Sequence, residues 1–210
     1  MATAWTIERM WEDQPCVIMA SGPSMSMEVT ETVRRAKPHR MIVINNTFRL
    51  APWADLLYAA DAGWWNYHKK EALAFAGLKA TCTDNPYPEV LKLKEGEREG
   101  FDPNPDTVCT GGNSGYQAIH VAAHLGCKRI LLCGFDMHGT HWHAKHEAPL
   151  REHGEGLYVK WIARFATLAQ PLWDRGVEVI NCTPGSALNV WPYMDLTQAL
   201  GGLVERRASA

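Results

Sequence analysis

The sequence lacks the run of about 20 consecutive apolar residues that a membrane-spanning helix needs. Its first residues, MATAWTIERMWEDQP, have no basic segment followed by an apolar one, so they do not resemble a signal peptide. It also lacks a basic excess, with 21 Lys and Arg against 23 Asp and Glu. This balance disfavours a nucleic-acid partner, although it leaves a local basic groove open. We expect a soluble, cytoplasmic protein with no membrane span.

Several familiar ligand motifs are missing as well. None of the six cysteines forms a CxxC pair, and four lie in or beside apolar, strand-like runs. Buried thiols therefore fit better than a disulfide framework. The chain has no GxxxxGK[ST] phosphate loop, no GxGxxG dinucleotide turn and no HExxH zinc motif. We expect no structural zinc, and no standard motif identifies a nucleotide.

What the chain does contain is a series of short apolar runs that alternate with helix-like segments. With 210 residues and 46% hydrophobic content, it is long enough for one well-filled core. The alternation predicts an α/β fold, a Rossmann-like and mostly parallel sheet with helices on both faces, in a single domain over residues 1–210. The predicted strands are 16–20, 41–44, 55–60, 78–83, 130–133 and 177–180. The predicted helices are 24–36, 64–75, 116–125, 155–175 and one from about 194.

Small and amide-bearing residues follow these predicted strands. The carboxyl ends of parallel strands share one edge of a sheet, and ligands bind in the crevice there. Helices that begin after Ser24 and after Asn113 would direct their positive ends into the same space. Any single one of these residues could equally serve only as a cap or a turn. The predicted nucleotide-binding residues are Ser21, Gly22, Pro23, Ser24, Asn45, Asn46, Asp61, Asn113, Ser114, Gly115, Gly134 and Ser186.

Two loops complete the prediction. Residues 85–106 are charged and framed by prolines, which predicts a surface excursion. Residues 137–154 are rich in histidine and are interpreted as a lid, with His153 or His141 as a general base and Asp136 beside them. The alternative is a polar surface loop with no role. If the protein depends on Mg²⁺, Asp61 and Asp136 are the candidate ligands.

An ordered set of motifs resembles a known superfamily. It unites bacterial CMP-sialic-acid-dependent sialyltransferases with motility accessory factors and 6-hydroxymethylpterin diphosphokinase-like proteins. The motifs are Gly22-Pro23-Ser24, Asn45-Asn46, Asn113-Ser114-Gly115, the run from Leu125 to Ile130, Gly134-Phe135-Asp136 and the run from Asn181 to Leu188. The match extends over most of the chain, with a gap at residues 85–106.

The resemblance implies a Rossmann-like sheet and a nucleotide or nucleotide-sugar ligand. It implies that Ser24, Asn46 and the Ser114-Gly115 pair contact the nucleotide. It assigns the base to His153, with His146 as the second choice. The sialyltransferases grip the nucleotide phosphate with paired tyrosines, where this loop has His138 and His141. The Thr140-His141 pair is closer to the accessory-factor branch, and the pterin kinases would use Asp61 and Asp136 with ATP and Mg²⁺.

Three functions follow as expectations. The leading one is a nucleotide-dependent transferase that moves a glycosyl group from a nucleotide-sugar donor to a hydroxyl acceptor of unidentified chemistry. The second is ATP- and Mg²⁺-dependent diphosphate transfer to a small heterocycle such as a pterin. The third is non-catalytic nucleotide binding. The small size suits a phage- or accessory-type enzyme with a macromolecular acceptor, and a homo-oligomer stays open.

Overall fold

The computed structural model describes residues 1–36, 39–143 and 156–201. Within these residues, eight strands form one sheet in which every pair of neighbours is parallel. In spatial order they are β1 (Thr3–Ala4), β6 (Leu91–Lys92), β5 (Leu78–Thr81), β4 (Leu56–Tyr58), β3 (Arg40–Ile44), β2 (Pro15–Met19), β9 (Arg129–Cys133) and β10 (Glu178–Asn181). A second sheet pairs β7 (Lys94–Glu95) with β8 (Thr107–Val108).

Helices cover both faces of the large sheet. The elements are α1 (Met27–Arg35), α2 (Ala62–Leu73), α3 (Ser114–His124) and α4 (Gly156–Trp173), with a 3₁₀ turn at Asn45–Arg49 and helical residues at 196–201. Side chains alternate across a strand. In β2, Cys16 and Ile18 belong to the core that contains α3 and α4 residues, while Val17 and Met19 belong to the one that contains α1 and α2 residues. The predicted α/β architecture is confirmed.

The order of the strands creates a switch point beside β2. From β2 the chain proceeds outward through β3, β4 and β5, and it later returns to place β9 on the opposite side of β2. The connections that leave β2 and β9 therefore diverge to opposite sides and leave a crevice at the carboxyl edge of the sheet. The order of the strands thus explains why a ligand crevice is expected at this edge of the sheet.

The start of the first helix differs from the prediction. Ser24 was expected to cap it, but Ser26 is the N-cap, and its side chain accepts a hydrogen bond from Val29 N at 3.3 Å. Ser24 instead bonds to Asp136. The helix that was expected to begin after Asn113 does so, and Asp61 caps α2 in the same way, since each side chain accepts hydrogen bonds from the first turn of its helix.

The expectation that residues 85–106 form a surface excursion is wrong in part. The segment contributes β6, which pairs with β5 on one side and with β1 on the other. Val90 and Leu93 flank this strand and are fully buried. A two-residue strand shows no periodicity in the sequence, so the charged residues around it concealed its place in the sheet.

Two expectations from what the sequence lacks can be compared with the structure. All six cysteines are free and buried, as predicted. In the parts of the chain that the structure describes, no helix combines the length and the apolar character that crossing a bilayer requires.

The buried position of Leu93 predicts its effect on stability. Replacing Leu93 with Ala leaves a cavity beside β6 and should lower the free energy of unfolding by about 2–5 kcal/mol. The matched control is Glu97→Ala in the same segment, where the side chain is exposed and the expected change is within about 0.5 kcal/mol. Urea denaturation measures both, and a Leu93→Ala loss no larger than that of the control would contradict the packing described for this segment.

Candidate functional site

A cleft of about 610 Å³ lies at the carboxyl edge of the sheet. It is lined by the residues that follow β2, β3, β4, β5 and β9 and by the N-terminal ends of α2 and α3. The sequence predicted that α1 would contribute a helix N-terminus, but α2 takes that place. Ten of the predicted site residues line the cleft: Ser21, Gly22, Asn45, Asp61, Asn113, Ser114, Gly115, Gly134, Asp136 and His141.

The turn after β2 is fastened to the end of β9 through Asp136. Ser24 donates to this carboxylate twice, from its backbone N to Oδ1 at 3.2 Å and from its hydroxyl to Oδ2 at 2.9 Å. Gly22 lies so close that an added Cβ would stand 1.9 Å from Asp136 Oδ2 and 2.5 Å from Gly134 O. Only glycine fits this approach, so the turn and the end of β9 form one unit.

Burial defines the electrostatics of Asp136. Its side chain is 3% exposed, and this burial raises the pKa of its carboxyl group, while the hydrogen bonds from Ser24 lower it in part. Each oxygen accepts one hydrogen bond from Ser24, so a Mg²⁺ ion would have to share this carboxylate with Ser24. These contacts are those of a residue that positions the β2 turn, and a catalytic role for Asp136 stays a prediction.

Four predicted binding residues do not line the cleft. Pro23 and Ser24 belong to the turn after β2 but are not part of the cleft lining. Asn46 is buried, and its Oδ1 accepts a hydrogen bond from Trp64 Nε1 at 2.7 Å. Ser186 donates to Phe135 O at 2.5 Å and accepts from Leu188 N at 3.0 Å, which ties the loop after β10 to the end of β9. Ser24, Asn46 and Ser186 therefore form hydrogen bonds to residues that line the cleft, and do not line it themselves.

Asn45 lines the cleft with a backbone in the left-handed region and an unsatisfied side-chain oxygen. Its φ of 48° lies in the left-handed region, which asparagine tolerates better than most residues. Its side-chain oxygen is buried and accepts no hydrogen bond within the described residues. Strained backbone and unsatisfied polar atoms each cost free energy, and they concentrate at binding and catalytic sites. Asn45 is therefore a stronger candidate than its neighbour Asn46.

The first part of the histidine-rich loop folds onto the β2 turn. Trp142 N and His141 Nδ1 both contact Ser21 O, at 3.1 and 3.3 Å. A carbonyl oxygen can only accept, so His141 Nδ1 carries the proton in this contact, and Nε2 is then the acceptor nitrogen of the neutral ring. Contact with a third group fixes the tautomer and orientation of a histidine that serves as a general base, and that role for His141 stays a prediction. Residues 144–155, and with them His146 and His153, lie outside the described residues.

His120 and His124, which lie one helical turn apart in α3, are buried inside the protein. The two rings stack with centroids 5.6 Å apart, and Phe101 contacts both. Burial lowers the pKa of His120 to about 3, so this ring is neutral at physiological pH. Within the described residues, no group of three or more His, Cys, Asp or Glu side chains could hold a metal ion.

Several cleft residues escaped the sequence analysis. On the side of the cleft next to β4 and β5, Tyr58 donates to Gln117 Oε1 at 2.9 Å, and Gln117 Nε2 donates to Thr110 O at 2.7 Å. Gln117 lies in the middle of a helix, where nothing in the sequence marks it as part of a site. The other cleft residues that were missed include Cys82, Thr83, Glu95, Arg98, Tyr158 and Trp161.

Comparison with known proteins identifies the fold. No protein-family model matches the chain, and no curated protein matches it by sequence. Among solved structures it is similar to the MAf glycosyltransferase from Magnetospirillum magneticum AMB-1, with a TM-score of 0.62 and 14% sequence identity. The match covers 99% of this chain and 39% of that chain, so this protein spans well under half of its neighbour's length. This likeness shows a shared fold.

The raised pKa of Asp136 predicts a dependence of stability on pH. The folded protein holds the Asp136 proton more tightly than the unfolded chain does, whose carboxyl pKa is about 3.9. The contribution of Asp136 to the free energy of unfolding is greatest at pH values below the unfolded pKa. It falls as the pH rises through the folded pKa. Asp136→Asn removes the effect. The stability of the variant relative to wild type should therefore increase from pH 4 to pH 7 in urea denaturation, and a constant difference would contradict it.

Proposed function

We propose that this protein is a nucleotide-dependent transferase that moves a glycosyl group from a nucleotide-sugar to a hydroxyl acceptor in this cleft. The observation that carries the proposal is the position of Ser21. This residue lines the cleft at the end of β2, and its carbonyl oxygen holds His141. Ser21 therefore belongs to the predicted nucleotide-binding turn and also orients His141, the proposed base.

The size of the cleft and the helix ends in its wall support a nucleotide as the ligand. Its volume of about 610 Å³ falls within the usual range for small-molecule and cofactor sites. The N-terminal ends of α2 and α3 stand in its wall, where backbone N–H groups and helix dipoles favour negative charge. The neighbour in the structural comparison is named as a glycosyltransferase, and this agrees with a nucleotide-sugar as the donor.

The residues support a direct displacement at the sugar. His141 Nε2 would take the proton of the acceptor hydroxyl as its oxygen forms a bond to the anomeric carbon. The bond between this carbon and the phosphate oxygen breaks, and the nucleotide leaves with the electron pair. Amide groups in the cleft wall would stabilise the charge that develops on the phosphate. His153, the base that the resemblance implies, remains an alternative for the same step.

A second candidate is Mg²⁺-dependent diphosphate transfer from ATP. The observation in its favour is that the carboxylates of Asp61 and Glu95 line the same cleft. Oxygen ligands of this kind hold Mg²⁺ together with substrate phosphates. Asp61 already accepts hydrogen bonds from the start of α2 through Oδ1, so a metal would use its other oxygen. Activity that survives full chelation would exclude this candidate.

Blocking the cleft tests where the nucleotide binds. Ala62, the first residue of α2, lines the cleft, while Ala74 caps the other end of the same helix and is exposed. Ala62→Trp should abolish stabilisation by CMP, UDP, GDP or ATP in a thermal-shift screen with and without Mg²⁺. Ala74→Trp should retain it. The proposal fails if no nucleotide stabilises the wild-type protein, and the site is wrong if both variants respond alike.

His141→Gln tests the chemical step. Loss of a general base should lower kcat by about 10²- to 10⁴-fold while nucleotide affinity stays unchanged. Nucleotide release from the best-binding nucleotide-sugar measures kcat. The matched control is His143→Gln in the same loop, whose ring stacks on that of His141 but is not part of the cleft lining. If His141→Gln retains the wild-type kcat, another residue is the base. If the wild type binds a nucleotide but shows no turnover, the protein is non-catalytic.

A further inference from the structure

Residues 94–99 run along one side of the cleft, and we call this segment the charged strap. Backbone hydrogen bonds join it to residues 106–110: Lys94 N donates to Asp106 O at 2.7 Å, Gly96 N donates to Val108 O at 2.9 Å, and Thr110 N donates to Glu97 O at 2.9 Å. These bonds fix the backbone of the strap. The fold therefore determines which of its side chains reach the cleft.

The strap presents two opposite charges to the cleft, Glu95 and Arg98. Two neighbouring charged side chains of the strap pair with residues that do not line the cleft. Lys94 Nζ contacts Asp106 Oδ2 at 2.6 Å, and Glu99 Oε1 lies 3.7 Å from Arg164 Nε. Within the described residues, Arg98 is the single lysine or arginine that lines the cleft, and it forms no ion pair there.

Arg98 is joined directly to the turn that precedes α3. Its carbonyl oxygen accepts a hydrogen bond from Gly111 N at 2.8 Å, and Asn113, Ser114 and Gly115 follow along the same wall of the cleft. Arg98 and the start of α3 therefore belong to one continuous wall of the cleft. An anion bound at this wall would have an arginine as its counter-charge.

The charge balance of the cleft favours such a cation. Asp61, Glu95 and Asp136 all line the cleft, and ionised carboxylates repel a phosphate group. A guanidinium group offers a planar pair of N–H donors that matches phosphate oxygens, and such charge-assisted bonds are stronger than neutral ones. Arg98 is in the position to supply it.

We propose that Arg98 binds a phosphate oxygen of the nucleotide and so makes the cleft selective for nucleoside phosphates over nucleosides. This inference rests on the proposed function, because it assumes that a nucleotide occupies the cleft. It adds a residue to the site that lies in the segment first interpreted as a surface excursion.

The experiment removes the charge from the protein and the phosphate from the ligand in turn. CMP and AMP serve as nucleotides, and cytidine and adenosine as the matching nucleosides, with affinities from calorimetry or ligand-observed NMR. Arg98→Gln should weaken the nucleotides by about 10- to 100-fold and the nucleosides by no more than about twofold. Lys94→Gln removes an equal charge from the same strap and should change neither affinity.

Each outcome has a distinct meaning. An equal loss for nucleotide and nucleoside, no loss for either, or wild-type affinities that do not differ between them would overturn the role of Arg98. If the wild type binds none of the four ligands, UMP and GMP with uridine and guanosine take their place, and the proposed function itself fails if none of these binds either. Arg98→Lys should retain part of the discrimination, and the wild-type affinity for CMP should fall with salt while that for cytidine does not. These two measurements test the proposal even if Arg98→Gln does not fold.

Discussion

The contact of the β2 turn with Asp136 is the interaction on which the candidate site depends. It holds the ends of β2 and β9 together at the point where the order of the strands reverses. A buried carboxylate is costly unless it is hydrogen-bonded, and Ser24 supplies two hydrogen bonds to it. The absent side chain of Gly22 provides the space. Together with the backbone hydrogen bond from Gly22 N to Gly134 O at 3.0 Å, this contact fixes the separation of the two loops that border the crevice.

The remaining walls of the cleft are built outward from this unit. The carbonyl of Ser21 holds the first residues of the histidine-rich loop, and the Ser21 hydroxyl donates to Ile44 O at 3.0 Å at the end of β3. On another side, backbone bonds hold the charged strap and bring Arg98 to the start of α3. The residues that set the geometry are thus largely distinct from those proposed to meet the ligand.

The likeness to the MAf glycosyltransferase illustrates how little sequence a fold of this kind requires. An identity of 14% accompanies a match over 99% of this chain. Buried parallel strands need apolar residues of suitable size, and many sequences supply them. The fold therefore persists while identity disappears, and function has to be argued from the site. The proposals made for this protein depend on Ser21, His141 and Arg98 for that reason.

The sequence by itself determined the features that arise from neighbouring residues. Apolar runs predicted the central parallel strands, and Asp61 and Asn113 predicted two helix starts, because caps and strand patterns act within a few residues. Only the tertiary structure decided the rest. Ser24 and Ser26 can both cap a helix, and Asp136, more than a hundred positions away, engages Ser24. Likewise, partners distant in sequence place β6 in the sheet and Arg98 in the cleft, and no local pattern records such contacts.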